Sequence, residues 1–142
     1  MKLGEIMSHT VKVVGPNATL EQAARIMKEE KTGMLLVFDG VHIFGVLTDR
    51  DITVRATSAG MQPDNTAVYQ VMTTDVVTCP MQYEVEEAVK LMIQEQIRRV
   101  VVTDLNMCPV GIVSLGDIAF GGEKKKLAAK VIHVLSEDIN DA

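Results

Sequence analysis

Residues 45–52 read Gly-Val-Leu-Thr-Asp-Arg-Asp-Ile, and residues 111–118 read Gly-Ile-Val-Ser-Leu-Gly-Asp-Ile. Both stretches run glycine, two apolar residues, a small hydroxyl residue, two variable residues, aspartate and isoleucine. They belong to a longer internal duplication that aligns Met7 with Met72 at an offset of 65 and Gly45 with Gly111 at an offset of 66. A duplicated unit predicts one shared core and two related clefts.

Each copy shows the same predicted order of elements, which is strand, helix, strand, strand and helix. In the first copy they fall at residues 11–14, from Thr19 to a break at 31–33, and at 34–38, 43–47 and 51–56. In the second copy they fall at 76–78, 85–94, 100–103, 110–113 and after Ser114. The helices are indicated by apolar residues at helical spacing and the strands by short apolar runs. The order predicts an α+β fold.

The domain organisation follows from the repeat. We expect a first repeat at residues 1–60, a second repeat at residues 61–122 and a helical tail at residues 123–142. The tail carries an apolar stripe from residue 127 to residue 139 at helical spacing. Two placements are open for this stripe, because it can pack on the core of its own chain or form a dimer seam. We favour the dimer seam, since the two repeats look complete without the tail.

Composition excludes several classes of function. A net charge of −5 argues against nucleic-acid binding, which needs a basic surface. The chain has no apolar run long enough for a membrane span and begins without a signal peptide, so a cytoplasmic protein is expected. Two separated cysteines, Cys79 and Cys108, and three scattered histidines form no metal-ligand set. No nucleophile–base pair or phosphate-binding loop stands out, so we do not expect an enzyme.

On these motifs the chain resembles the CBS (cystathionine β-synthase) domain family, arranged as a tandem pair over about residues 5 to 121. The resemblance implies a pseudo-symmetric pair, or Bateman module, which commonly forms homodimers and holds adenosine-containing ligands in clefts between the repeats. It implies a non-catalytic regulator that senses the energy state through AMP, ADP or ATP, or that binds S-adenosylmethionine or NAD. Such a module needs no cofactor and signals to an unknown protein in trans. The alternative is a ligand-free dimerisation or interaction scaffold.

The repeated motif supplies the candidate ligand contacts. The hydroxyls of Thr48 and Ser114 come where a strand passes into a helix, and the carboxylates of Asp51 and Asp117 follow three residues later. A hydroxyl there can donate to a phosphate or ribose oxygen, and a carboxylate can accept from a ribose diol. The same spacing is also a helix-capping pattern that needs no ligand, and both interpretations stay open. Further candidates for contact with the ligand are Val11, Val13, Val76, Thr78 and Ile112.

Basic residues distinguish the two clefts. Arg50 stands inside the first motif, whereas Arg98 and Arg99 stand in the second copy, where the first copy has no basic residue. The resemblance implies that Arg98 or Arg99 reaches phosphates bound by the motif of the other copy. We therefore expect the first cleft to favour phosphates and the second to hold a nucleoside, S-adenosylmethionine or nothing. Surface pairing of these arginines with Glu95 or Asp49 is the alternative.

Overall fold

The computed structural model describes residues 1–9, 11–120 and 132, and the tail helix predicted at residues 123–142 lies outside this part of the chain except for Ile132. The described residues form two compact units. The first unit is Val11–Val76, and the second unit contains residues 77–120 and 132 together with residues 1–9. Helices and strands are mixed in both units, as expected for an α+β protein.

The elements repeat in the predicted order. In chain order they are α1 (Leu3–Ile6), β1 (Val13–Val14), α2 (Leu20–Glu30), β2 (Met34–Phe38), β3 (Ile43–Thr48), α3 (Asp49–Asp51, continued as a π-helix over Ile52–Thr57), two 3-10 turns (Pro63–Asn65 and Val68–Gln70), β4 (Thr78–Pro80), α4 (Val85–Glu95), β5 (Arg99–Thr103), β6 (Pro109–Ser114) and α5 (Leu115–Phe120). Each unit has a three-stranded sheet, β1-β2-β3 or β4-β5-β6. The first pair of strands in each sheet is parallel and the second pair is antiparallel.

Local signals place α2 and β2 correctly. The Thr19 hydroxyl accepts a hydrogen bond from the Gln22 backbone N–H at 3.1 Å, and the Gln22 side chain accepts one from the Thr19 N–H at 2.9 Å. This reciprocal cap satisfies two N–H groups that the helix leaves without partners. The helix ends where Lys31 adopts a left-handed conformation, with φ of 54°. β2 then follows directly over the predicted residues 34–38.

The first strand of each sheet differs from the prediction. β1 is only Val13–Val14, and β4 is Thr78–Pro80 rather than residues 76–78. The reason is the register of the parallel pair, which places Cys79 opposite Val102 and buries the cysteine completely. Pro80 is tolerated because it ends a strand at the edge of the sheet, where its missing N–H leaves no partner unpaired.

Each unit has its own apolar core. In the first unit, Leu20 and Ala23 of α2 pack with Leu35 and Leu47 of the sheet, and all four are fully buried. In the second unit, the corresponding core includes Leu3, Val85, Ala88, Met92, Val102 and Cys79. Burial, with a smaller contribution from the charge of Glu87, raises the pKa of the Cys79 thiol to about 11. Cys79 is thus a neutral core residue.

A short segment that leads into each copy completes the sheet of one unit. Thr73 forms a two-way backbone bridge with Val46 of β3, with N···O distances of 2.8 and 2.9 Å. Ser8 forms the same bridge with Ile112 of β6, at 2.9 and 3.2 Å. Residues 1–9 therefore pack with the second copy, and the segment around Thr73 packs with the first.

The motif glycines allow these segments to approach the sheets. A Cβ atom on Gly45 would lie 2.3 Å from the backbone oxygen of Thr73. A Cβ atom on Gly111 would lie 2.4 Å from the Met7 sulfur and 2.8 Å from the backbone oxygen of Ser8. Carbon–oxygen contacts this short are repulsive, so a residue without a side chain is required at both positions.

Candidate functional site

The end of β3 and the start of α3 form the first motif corner, which consists of Thr48, Asp51 and the backbone between them. The Thr48 hydroxyl accepts from the Asp51 N–H at 3.0 Å, and Asp51 Oδ2 accepts from the Thr48 N–H at 3.0 Å. The capping interpretation of the motif is therefore confirmed. The Thr48 hydroxyl only accepts in this arrangement, so its own hydrogen stays available to donate elsewhere.

The Asp51 carboxylate is enclosed by its own unit. Both of its oxygens accept from the Thr73 hydroxyl, at 3.1 and 3.2 Å, and Arg55 Nε lies 3.8 Å from Oδ1. The Arg55 guanidinium also donates to the Met72 carbonyl at 3.1 Å. Asp51 is only 7% exposed as a result. A carboxylate this deep needs such partners, because an unpaired buried charge is strongly destabilising.

The second motif corner, which consists of Ser114, Asp117 and the backbone between them, has the same cap but fewer partners. Asp117 Oδ2 accepts from the Ser114 N–H at 2.8 Å, and the Ser114 hydroxyl accepts from the Asp117 N–H at 3.1 Å. Asp117 is half-buried, and Ser8, which takes the place of Thr73 in this unit, is exposed. Within the described residues no side chain donates to the Asp117 carboxylate. The two corners thus share a backbone geometry and differ in what surrounds the carboxylate.

An open cavity of about 670 Å³ lies beside the second corner, within the second unit. Arg98, Arg99 and Ser114 supply its polar lining, and the rest of the lining is Leu115, Gly116, Ala119 and Ile132. Strand pairing brings the arginines there, because Arg99 is opposite Ser114 in the β5–β6 register and the Arg98 carbonyl accepts from the Leu115 N–H at 2.9 Å. Asp117 is not among the lining residues.

Neither arginine of this cavity is paired within the described part of the chain. Both side chains are exposed, and the ion pairs found among the described residues involve other groups. The alternative of surface pairing with Glu95 or Asp49 is therefore not seen among these residues. Two guanidinium groups carry ten N–H donors between them, a set suited to phosphate or carboxylate oxygens.

The surface around Arg50 in the first unit forms a smaller depression than the cavity beside the second corner. A depression of about 270 Å³ is lined by Asp49, Arg50, Thr53 and Val54. Arg50 is exposed, and its backbone N–H donates to Asp49 Oδ1 at 2.8 Å. This depression does not include Thr48 or Asp51. In this depression Arg50 is therefore not grouped with the hydroxyl and the carboxylate of its own motif.

Five further predicted contacts, four apolar residues and Thr78, lie outside both cavities. Val13 on β1 is 45% exposed, and Ile112 on β6 is half-buried, where it pairs with Ser8. Val11, Val76 and Thr78 are also half-buried. None of the five lines the cavity at Ser114 or the depression at Arg50. Their contact with a ligand stays a prediction.

Several residues of these environments were not among the predicted contacts. Thr73 and Arg55 hold Asp51, and Gly116, Ala119 and Ile132 line the larger cavity. The sequence contains one indication of Thr73. The matched methionines Met7 and Met72 are each followed by a residue with a hydroxyl group, Ser8 and Thr73. The contact that Thr73 makes, across 22 residues, could not be inferred from that position alone.

Neither a membrane-spanning helix nor a metal cluster is found in the parts of the chain that the structure describes. No helix there combines the length and the apolar character needed to cross a bilayer. In the same ranges, no three histidine, cysteine, aspartate or glutamate side chains are grouped so that they could hold a metal ion.

Comparisons with known proteins agree on one family. The sequence model of the CBS domain matches residues 3–56 and again residues 68–121. The CBS domain-containing protein YhcV of Bacillus subtilis is 37% identical over 132 residues, which are 93% of this chain and 93% of that protein. A hexameric CBS-CP12 protein from bloom-forming cyanobacteria has a TM-score of 0.74 and 31% identity, covering 84% of this chain and 67% of that chain.

A further solved structure has the same fold with a bound nucleotide. It is a CBS domain protein of Pyrobaculum aerophilum complexed with AMP, and it has a TM-score of 0.78. The alignment covers 92% of this chain and 99% of that chain at 21% identity. At this identity the likeness establishes the fold alone.

Proposed function

Since the chain belongs to the CBS domain family, we propose that it is a non-catalytic regulatory module that binds an adenosine-containing ligand. The ligand classes are the adenine nucleotides AMP, ADP and ATP, and also S-adenosylmethionine and NAD. Binding of the ligand changes the module in a way that a separate protein partner recognises, so the module signals in trans. A ligand produces such a signal only if it binds two arrangements of the protein with different affinity.

The main support for this proposal is the cavity of about 670 Å³ beside the second motif corner. Its volume falls within the range of about 300–1,000 Å³ that small-molecule sites occupy. It combines an apolar lining with a hydroxyl and two guanidinium groups that have no ionic partner among the described residues, as a phosphorylated nucleoside requires. The AMP complex of the Pyrobaculum aerophilum protein supports the proposal, because the same fold holds AMP there.

Thermal denaturation with a panel of ligands tests the proposal. AMP, ADP, ATP, NAD and S-adenosylmethionine are each added at about 100 times the dissociation constant, with ribose 5-phosphate as the control that lacks adenine. Saturation at that ratio stabilises the folded state by about 2.7 kcal/mol. At about 3 °C per kcal/mol for a chain of this size, the midpoint rises by about 8 °C. An unchanged midpoint with all five ligands contradicts the proposal.

A ligand-free scaffold is the second candidate, and one observation favours it. The first motif corner is filled by Thr73 and Arg55 of the same unit, so at least one corner is complete without a ligand. A scaffold acts through self-association, and the cyanobacterial CBS-CP12 protein is a hexamer. Under this candidate, analytical ultracentrifugation gives a stable homodimer whose affinity is unaffected by any ligand of the panel. A ligand that changes the dimer affinity favours the regulatory module.

A further inference from the structure

We infer that the side chains of Asp51, Arg55 and Thr73 form a latch that holds the connector between the two copies and can release it. The connector is residues 71–76, which end the first unit and lead directly into the second unit. This inference rests on the proposed function and specifies how the module signals. The held and the released connector are the two arrangements that a ligand must distinguish.

Two side chains of one helical segment hold three consecutive residues of the connector. Arg55 Nη1 donates to the Met72 carbonyl at 3.1 Å and to the Val71 carbonyl at 3.4 Å. Arg55 Nε lies 3.8 Å from Asp51 Oδ1, and the Thr73 hydroxyl donates to both oxygens of the same carboxylate. A guanidinium suits this position, because its several N–H groups can reach a carboxylate and backbone carbonyls at the same time.

The latch lies at the last attachment of the connector within the first unit. Thr73 pairs with Val46 of β3 through two backbone hydrogen bonds. Among the described residues, the hydrogen bond found for residues 74–76 is local, from the Val76 N–H to the Thr74 carbonyl at 2.9 Å. The two residues that follow Thr73 are exposed. Opening of the latch therefore loosens the chain as far as the start of the second unit.

The helical segment that carries Arg55 can adopt a second hydrogen-bond register. Ile52–Thr57 is a π-helix, and the Ser58 N–H donates to the Thr53 carbonyl at 3.1 Å, five residues back. The Val54 carbonyl, four residues back, accepts from the Ser58 hydroxyl instead. Transfer of the Ser58 N–H to Val54 restores the α-helical register and turns Arg55 about the helix axis. Single π-helical turns are rare and are frequent at functional sites.

The second copy has the same cap without the latch. Ser8, which matches Thr73, is exposed, and within the described residues no side chain donates to the Asp117 carboxylate. The position that matches Arg55 is Gly121, which has no side chain. A motif corner therefore forms without a latch. In the described chain the latch occurs at the segment that joins the two units.

The latch can open without unfolding the first unit. The Arg55 side chain is 53% exposed, and exposed ion pairs are weak because water and salt screen them. The cap between Asp51 and the Thr48 N–H involves neither Arg55 nor Thr73, so it can persist when the latch opens. Release thus changes the connector more than the core of the unit.

Amide hydrogen exchange of the full chain, followed by NMR, tests the latch without a ligand. The Thr73 and Val46 amides, which form the backbone bridge, are expected to exchange about tenfold faster in Arg55→Ala than in the wild-type chain. The Leu36 amide, which donates to the Lys12 carbonyl at 2.9 Å in the same unit, is expected to keep its rate. Arg55→Lys keeps the charge and is expected to restore part of the protection.

Arg25→Ala is the matched control. Arg25 is exposed on α2 and pairs with Glu21, four residues earlier, at 2.6 Å. Arg55 has the same spacing from Asp51, but Arg25 makes no hydrogen bond to the connector. Its removal is expected to leave the exchange of the Thr73 amide unchanged. Equal exchange rates for Arg55→Ala and the wild-type chain, or equal acceleration in Arg55→Ala and Arg25→Ala, would overturn the latch.

Addition of saturating AMP tests whether the latch takes part in signalling. AMP is expected to change the exchange rate of the Thr73 amide in the wild-type chain by about fivefold or more, the lower end of typical coupling between sites. In Arg55→Ala this change is expected to be lost. If AMP binds and leaves the rate unchanged, or changes it equally in both chains, the signalling role of the latch is wrong.

The outcomes separate this inference from the proposed function. If no ligand of the panel binds the wild-type chain, the proposed function fails. The exchange rates without ligand still decide whether Arg55 holds the connector. Circular dichroism verifies that each variant is folded.

Discussion

Replacing Gly45 with alanine tests whether a glycine is required there so that the Thr73 segment can lie close to β3. The added Cβ atom would lie 2.3 Å from the Thr73 carbonyl oxygen, 3.2 Å from the carbonyl carbon and 3.4 Å from the Thr74 Cα atom. The repulsion between this carbon and this oxygen disappears only when they are about 3.5 Å apart, the optimal van der Waals separation. The segment must therefore retreat from β3, or β3 must bend.

Two costs follow from that retreat. Inserting a methyl group into a packed site typically destabilises a protein by about 1–3 kcal/mol. The retreat also strains the two backbone hydrogen bonds between Val46 and Thr73, at 2.8 and 2.9 Å, each of which contributes about 1 kcal/mol. Since both bonds are weakened rather than abolished, we expect Gly45→Ala to lower the free energy of unfolding by about 3 kcal/mol.

Urea denaturation followed by circular dichroism measures this change, and Gly15→Ala is the matched control. A Cβ atom on Gly15 meets nothing within 4 Å, and its φ is not in the left-handed region. The control is expected to be neutral or to stabilise the chain by up to about 1 kcal/mol, because alanine restricts the unfolded state. Equal free energies of unfolding for Gly45→Ala and Gly15→Ala would refute the reasoning.

Three further predictions concern stability and thiol reactivity. Thr73→Val is expected to lower the free energy of unfolding by about 2 kcal/mol in urea, because it removes a hydrogen bond to a buried carboxylate, whereas Ser8→Ala stays within about 0.5 kcal/mol. Leu3→Ala is expected to cost about 3 kcal/mol in the same assay, because Leu3 is fully buried in the second unit. At pH 8 a thiol reagent is expected to modify exposed Cys108 quickly and Cys79 only after unfolding, since the raised pKa keeps Cys79 protonated.

Each of these predictions has a result that contradicts it. Equal losses for Thr73→Val and Ser8→Ala would mean that Asp51 and Asp117 are held alike. Leu105, which is 85% exposed, gives the control for Leu3, and a Leu105→Ala variant as unstable as Leu3→Ala would contradict the burial argument. Fast modification of both thiols in the folded protein would show that Cys79 is accessible.

The Cys79 thiol makes the folded state less stable as the pH rises. The pKa of Cys79 is raised in the folded state, so its contribution to stability is complete below the unfolded pKa, about 8.5. It is lost as the pH rises toward the folded value of about 11, because the unfolded chain releases the proton more readily. A Cys79→Ala variant is expected to lose less stability between pH 8.5 and pH 11 than the wild-type chain.

The parts of the fold that depend on local signals could be predicted from the sequence. The cap at Thr19 fixed the start of α2, and the apolar run at residues 34–38 became β2 with the same bounds. The motif spacing indicated the caps at Thr48 and Ser114, which both form. Each of these features involves residues no more than four positions apart, so the sequence contains what decides them.

The parts that depend on distant contacts could not be predicted. The position of β4 depends on its parallel partner β5, and the burial of Asp51 depends on Thr73, which lies 22 residues away. The repeat also does not say which copy each leading segment joins. In the structure Ser8 pairs with Ile112 of the second copy. The grouping of Arg98 and Arg99 with Ser114 follows from strand register, which an alignment of repeats leaves open.

A crystal structure of the chain grown with AMP gives the most direct test of the central claim. The account predicts a nucleotide in the cavity beside the second motif corner, with phosphate oxygens within about 3 Å of the guanidinium nitrogens of Arg98 or Arg99. A nucleotide whose ribose contacts Asp51 in place of Thr73, with the arginine cavity empty, would contradict it.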